Sequence, residues 1–565
     1  MRSIVVRLLA LAILATAGCA TRPRGGDYDL VIRGGSVYDG SGAKPIRADV
    51  GVRGDRIVAI GNLSRVRARN VVEAKGMAVA PGFINVLSWA PDSLIEDGRG
   101  VSDSLQGVTL EIFGEGWSYG PLNDAMKKEV VDQQGDIRYA VEWTTLGEFM
   151  RYLERRGVAP NIASFIGAST VREYVVGNAN RKATPAELAE MQRLVASAME
   201  EGALGVGSAL IYFPGNFADT AELTLLAKAA APYGGAYISH LRSEGDRLIE
   251  GIDELVDIAR VAGIHGEIYH LKAAGRENWP KMQEAIARIE AARKQGVSVS
   301  ANMYAYTAGA TGLNACMPPK VQEGGLEAWI ARLGDPHVRA SLIPEMQKPG
   351  KDWENLCYAA GDAANVLLIG FKSEKLKSLT GKTLADVAGL RGTSPAETAI
   401  DLVIEDHAPV GAAFFLMSED NVRLGLSQPW VALGSDEGSY VPEGVFMKFQ
   451  PHPRAYGNFA RFLGHYVRDG HVDTLPDAIR RLSALPADNF KLKDRGHLKL
   501  GYYADLVVFD PATIADHATY DDPREFASGV ADVVVNGVEI VRDGKPTGAK
   551  PGRFVTGPGY RAASP

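Results

Sequence analysis

The middle of the chain alternates short apolar runs with longer stretches whose apolar residues recur at helical spacing. Eight runs read as strands: 79–86, 108–113, 162–166, 204–208, 236–239, 267–270, 297–302 and 431–434. Helix-length segments such as 185–201, 248–262 and 279–295 lie between them. Strand followed by helix, eight times over, predicts an α/β protein with a (β/α)8 TIM-like barrel across residues 81–489. The alternation alone would also suit an open α/β sheet. A long gap before the eighth run predicts a helical insertion at about 318–427.

The two chain ends follow another rhythm. Asp29-Leu30-Val31-Ile32-Arg33, Ala48-Asp49-Val50-Gly51-Val52 and Arg56-Ile57-Val58-Ala59-Ile60 are short alternating strands between glycine turns. Leu506-Val507-Val508-Phe509 and Val533-Val534-Val535-Asn536-Gly537-Val538 repeat that style near the C-terminus. Neither end has enough strands to be stable alone. The economical expectation is one small β-sandwich domain built from residues 28–80 and 490–565 together.

At 565 residues the chain exceeds one ordinary domain, and 46% hydrophobic with 23% charged residues is globular usage. A net charge of −7 leaves no basic surplus for phosphates, which argues against a nucleic-acid protein. Cys19, Cys316 and Cys357 are too few for a disulfide framework, and the last two read as buried, inert thiols. Residues 1–18 carry Arg2 and Arg7, an apolar run from Leu8 to Leu14 and then small residues, the layout of a secretory signal. Ala17-Gly18-Cys19 resembles a lipobox, although Thr16 stands where leucine is usual. The expectation is lipidation of Cys19, a linker over 19–27, and a periplasmic protein tied to a bacterial membrane by its lipid only. Plain cleavage or an uncleaved helix are the alternatives, the run being short for a bilayer.

In a (β/α)8 barrel, chemistry sits at the C-terminal ends of the strands. His240, His270 and Asp436 end or follow the fifth, sixth and eighth runs, and Glu115 follows the second. Imidazole and carboxylate are the usual ligands of a hydrolytic zinc ion, which lowers the pKa of water, while a nearby carboxylate moves the proton. A single strand-end histidine is more often structural. Two on successive strands, with an aspartate on the last, point to a site. Glu115, between Gly114 and Gly116, could merely close a turn. His265 begins a strand and reads as structural; His337, His471, His497 and His517 read as solvated.

These residues resemble the amidohydrolase superfamily, and within it the N-acyl-D-amino-acid deacylases (D-aminoacylases), over about residues 28–560. The similar segments are Asp29 to Gly42, Ala80-Pro81-Gly82-Phe83-Ile84, Ser239-His240-Leu241-Arg242-Ser243-Glu244, Tyr269-His270-Leu271-Lys272-Ala273-Ala274-Gly275, Gly434-Ser435-Asp436, Pro451 to Phe459 and Asp494 to Gly537. The chain departs from the family twice. Leu87 and Trp89 stand where the first strand normally carries His-x-His, and Gly116 stands where these enzymes place a cysteine ligand.

The resemblance implies a metal-dependent hydrolase that cleaves the C–N bond of an N-acyl-D-amino acid or a related small N-acyl compound. Glu115, His240 and His270 would hold one metal, zinc or another divalent ion, with Glu115 in place of the missing thiolate. Asp436 would be the catalytic proton carrier. Arg454 and Tyr304 would bind the substrate carboxylate, Arg454 by its planar fork. Without the resemblance Arg454 reads equally as a surface arginine at a helix start. Ala310 replaces a serine of the family's pocket. The alternatives are cyclic-amide or dipeptide hydrolysis, or a non-catalytic binding protein on a degenerate barrel. Oligomeric state is not legible in the sequence.

Overall fold

The structure, a computed structural model, describes residues 27–562. The expected signal segment and Cys19 lie outside them. Among the described residues no helix is long and apolar enough to cross a membrane.

All eight expected strands form, and their hydrogen bonds run round a barrel. Strands Gly205–Ala209, Ala236–His240, His265–Ile268, Val299–Met303 and Val431–Leu433 pair in parallel, in that order. Phe83–Asn85, Val108–Phe113 and Asn161–Ser164 pair likewise, and the last continues into Ile166–Gly167 beside Gly205–Ala209. Val86 donates to the Leu433 carbonyl and Ser88 bridges Glu437, which closes the ring. Ile84, Leu110, Ile112, Ala163, Ile238 and Ala432 fill the interior, so the barrel is a packed core with its chemistry at one end.

The helices form where the sequence places them. Pro185–Glu201 has a Thr184–Glu187 capping box, a proline in its first turn and left-handed Gly202 at its end. Leu248–Ala262 also matches its expected span, burying Ile252, Leu255, Val256 and Ala259 along one stripe.

Three expectations change. The first strand is two strands, because Ala78–Pro81 belongs to the terminal sheet and only Phe83–Asn85 to the barrel. At the break, a Cβ on Gly82 would sit 2.2 Å from Thr109 Oγ1, so glycine alone lets the two layers meet. The insertion is not purely helical. It opens on Ala308–Gly312, which pairs with Gly411–Phe415, which in turn pairs with Val366–Gly370. Glycine- and alanine-rich strands of this kind carry too weak an alternation to be read from sequence. Finally, Cys316 and Cys357 are a disulfide with Cα atoms 5.0 Å apart, fastening the start of the insertion to helix Leu356–Ala359.

The terminal strands join as expected. Tyr28–Val37, Ile46–Arg53, Arg56–Gly61, Ala68–Glu73 and Ala78–Pro81 lie in one nine-stranded sheet with Leu506–Phe509, Val530–Val535, Val538–Arg542 and Lys545–Pro546. Leu30, Val50, Ile57, Val79, Leu506 and Val534 share its core. The final segment behaves differently from the rest of the C-terminal portion. Ile162 donates to the Arg553 carbonyl, and Val555 packs into the barrel interior, so this stretch stoppers the end opposite the site.

Candidate active site

His240 is the last residue of strand Ala236–His240, and His270 follows His265–Ile268 by two residues. Glu115 follows Val108–Phe113 across Gly114. Parallel strands end side by side, so three residues far apart in sequence meet at one mouth. All three are buried. His240 Nδ1 lies 3.2 Å from Glu115 Oε1 and 3.0 Å from His270 Nε2, and His270 Nε2 lies 2.8 Å from Glu115 Oε1. Donor atoms round a tetrahedral zinc stand about 3.4 Å apart, so the triangle is close to that spacing.

Glycine explains why Glu115 carries the carboxylate. Gly116 has φ +69°, and a Cβ there would sit 2.5 Å from Ala209 Cβ. No cysteine fits that place in this chain. Trp117 donates back to the Glu115 carbonyl, holding a tight turn with Glu115 facing inward. His270 and Asp436 also sit at positive φ, 31° and 52°, where non-glycine residues cost on the order of 1–3 kcal/mol each. Both sit at the mouth. The His270 amide donates to Asn302 Oδ1, and Asp436 donates to the Leu87 carbonyl; neighbouring strands thus hold the unusual backbone.

Charge points the same way. Glu244 lies 3.0 Å from His270 Nδ1 and 3.6 Å from His240 Nε2, and the Lys272 ammonium donates to it at 2.6 Å. Lys272 also lies 2.8 Å from His270 Nδ1. Burial would raise the carboxyls of Glu115 and Glu244, but the surrounding cations hold both well below the usual range. Burial and Lys272 lower the His270 pKa, yet Glu244 and Glu115 outweigh them and push it up to about 9. Two carboxylates against one ammonium leave the cluster one positive charge short. A protonated imidazole can supply it; a divalent ion among the same donors would do so without a proton. His240 Nε2 is buried without a partner, facing Glu244. Such a carboxylate fixes the tautomer of a metal-bound histidine. Glu115, His240 and His270 therefore fit a divalent metal.

Asp436, Arg454 and Tyr304 stand on the other side of the mouth. Arg454 opens helix Arg454–Arg461, and it is buried, which removes the surface alternative. Its Nη2 pairs with Asp436 Oδ2 at 2.9 Å and donates to the Asp436 carbonyl at 2.5 Å. Sequence reasoning kept Asp436 and Arg454 apart; here they form one ion pair. Arg454 Nε and Nη1 have no partner, nor has the Tyr304 hydroxyl, and the guanidinium lies 4.4 Å from the Tyr304 ring centroid. Buried donors left free are costly, and an anionic ligand would satisfy them. Burial raises the Asp436 pKa, with Arg454 pulling against it; the net direction is up.

Trp89, Glu244 and Lys272 were not singled out from sequence as site residues. Trp89 Nε1 donates to Glu115 Oε2 at 3.0 Å and to Asp436 Oδ1 at 3.1 Å. Glu244 and Lys272 carried a faint signal, four residues after His240 and two after His270. His265 is structural as expected, bonded to Ser298 and Ser300. His337, His471 and His517 are exposed, whereas His497 is partly buried and bonds Asp488.

A closed (β/α)8 barrel with a histidine–carboxylate cluster at its C-terminal mouth defines the class of metal-dependent barrel hydrolases. Residues 70–541 match the amidohydrolase family. The D-aminoacylase of Alcaligenes xylosoxydans xylosoxydans is 33% identical over 533 residues, 94% of this chain and 97% of its own. The N-acyl-D-glutamate deacylase of that organism is 32% identical, covering 93% and 96%. A crystal structure of N-acyl-D-glutamate deacylase from Bordetella bronchiseptica, complexed with zinc and a phosphonate mimic of the tetrahedral intermediate, matches with a TM-score of 0.76. It is 31% identical and covers 94% of this chain and 99% of that one. A D-aminoacylase structure matches at 0.78, with 32% identity over 94% and 100%. The chain belongs to the amidohydrolase family.

Proposed function

We propose that the protein deacylates an N-acyl-D-amino acid, or a closely related small N-acyl compound, by hydrolysing its amide C–N bond. The observation that carries this is the convergence at one mouth of a histidine–carboxylate cluster, Asp436, and Arg454 paired with it and still holding free buried donors. The relatives with matching length act as D-aminoacylase and N-acyl-D-glutamate deacylase. Glu115, His240 and His270 would hold one zinc ion. When bound, such an ion polarises a carbonyl and lowers the pKa of water. A related D-aminoacylase is described as activated by one metal and attenuated by a second, so one suffices there.

The chain's own groups do the rest. Glu244, 3.6 Å from His240 Nε2, orients that imidazole and leaves its Nδ1 facing Glu115 and His270 as a donor atom. Asp436 accepts the proton of the attacking water and returns it to the departing nitrogen, and a raised pKa suits that exchange. Arg454 Nε and Nη1, with the Tyr304 hydroxyl, hold the carboxylate of the substrate. Ala310 adds no hydroxyl to this pocket.

The test is turnover of a panel of N-acyl-D-amino acids, N-acyl-L-amino acids, hydantoins and dipeptides. Deacylation of D-substrates should dominate, and Asp436→Asn should lower kcat by about 10²–10⁴-fold. Hydantoin or dipeptide turnover instead, or an unchanged Asp436→Asn enzyme, overturns the reading.

We also infer export of the chain and lipidation at Cys19. The Cys316–Cys357 disulfide supports the first part, since such bonds persist in oxidising compartments.

A further inference from the structure

The two oxygens of Glu115 have different neighbours. Oε1 faces the two histidines, whereas Oε2 accepts the indole N–H of Trp89 at 3.0 Å. The same N–H lies 3.1 Å from Asp436 Oδ1. One hydrogen is thus shared between two carboxylates that converge on it. A point between two converging carboxylate oxygens is where a divalent cation would bridge them. Here a neutral donor occupies it.

The surrounding groups are already committed. The Trp89 backbone is fixed by its own N–H bond to Glu437, and Ser88 beside it bridges the same residue. Leu87 is buried among Ile84, Ile112 and Ala432 and offers no ligand atom. The second oxygen of Asp436 is already paired with Arg454. A second ion would have to displace the indole and would then meet carboxylates without an imidazole.

We propose that the Trp89 indole N–H is a built-in replacement for a second metal. The ring of Trp89 limits the centre to one ion, and its N–H makes it a positioning residue that keeps Asp436 turned toward the cluster. The proposal rests on the reading that Glu115, His240 and His270 hold the first ion. Trp89 is 43% exposed, so its side chain can be exchanged with little loss of core packing.

The experiment is to equilibrate the purified full-length protein with graded zinc, remove free metal and count bound zinc by atomic emission. Kinetic constants are measured alongside on an N-acyl-D-amino acid. The wild-type chain should saturate at one equivalent, and Trp89→His at two, because an imidazole then stands between the same carboxylates. Trp89→Phe keeps the ring but not the N–H. It should hold one equivalent, with kcat down about tenfold and KM changed less than about twofold. A second equivalent in the wild-type chain, or wild-type kcat in Trp89→Phe, overturns the proposal while leaving the proposed function standing. No zinc in the wild-type chain at any excess overturns the metal reading beneath it.

Discussion

The two sides of the barrel mouth solve different problems with the same scaffold. Where the second, fifth and sixth strands end, Glu115, His240, His270, Glu244 and Lys272 form a buried charge network in which the ionic groups partner one another. Where the eighth and first strands end, one ion pair, Asp436 with Arg454, stands beside an apolar Leu87 and an indole donor. The first side is complete except for one positive charge. The second is complete in charge but leaves three donors unused, Arg454 Nε, Arg454 Nη1 and the Tyr304 hydroxyl. A cation is wanted on one side and an anion on the other. That polarity is what a hydrolase acting on an N-acylated carboxylate needs, and it survives the absence of first-strand histidines because the strand-five and strand-six donors carry their own supporting carboxylate.

The contrast can be broken most forcefully at His270. His270→Ala should abolish zinc retention and lower kcat/KM by about 10³-fold or more, read by metal analysis and turnover. Retained zinc with good turnover would show that the charge network is not the metal side. Arg454→Met tests the other side. Zinc should remain at one equivalent while KM rises about 10–100-fold, since the carboxylate loses its fork. A loss of zinc in that variant would mean the two sides are one unit.

The smallest effect tests how the insertion supports the network. Glu354, partly buried in the insertion, accepts the Glu244 amide at 3.0 Å. Burial, with the negative charge of Glu244 adding to it, pushes its carboxyl up to about 8. The folded state therefore keeps this proton where the unfolded chain, with a glutamate near its ordinary 4.5, has lost it. Stability falls as pH rises through the window from about 4.5 to 8. Glu354→Gln should remove that loss, raising the melting temperature above that of the wild-type chain at pH 9 and leaving it nearly unchanged at pH 4. Melting temperatures at the two pH values decide it, and equal shifts at both would contradict the assignment.

Much of this was legible along the chain. Barrel strands are buried on both faces and read as apolar runs, so all eight appeared, and a polar residue at the end of such a run marks a mouth position. His240, His270, Asp436 and Glu115 were found that way. The insertion strand Ala308–Gly312 was not, because small residues leave no alternation to detect. The Cys316–Cys357 pair escaped because two cysteines separated by 41 residues say nothing of proximity until the chain folds between them.

What the sequence by itself determined is therefore the barrel, the β-rich partnership of the two ends and the list of polar strand ends, since each follows from local periodicity. Only the tertiary structure decided what those ends do to one another. Trp89 reaches Asp436 across 347 residues because the barrel closes the first strand onto the eighth. Read along the chain, that tryptophan is a lost ligand. In the closed barrel it is a hydrogen-bond donor between two carboxylates, because direction and distance at the mouth are set by strand pairing and not by any neighbouring residue.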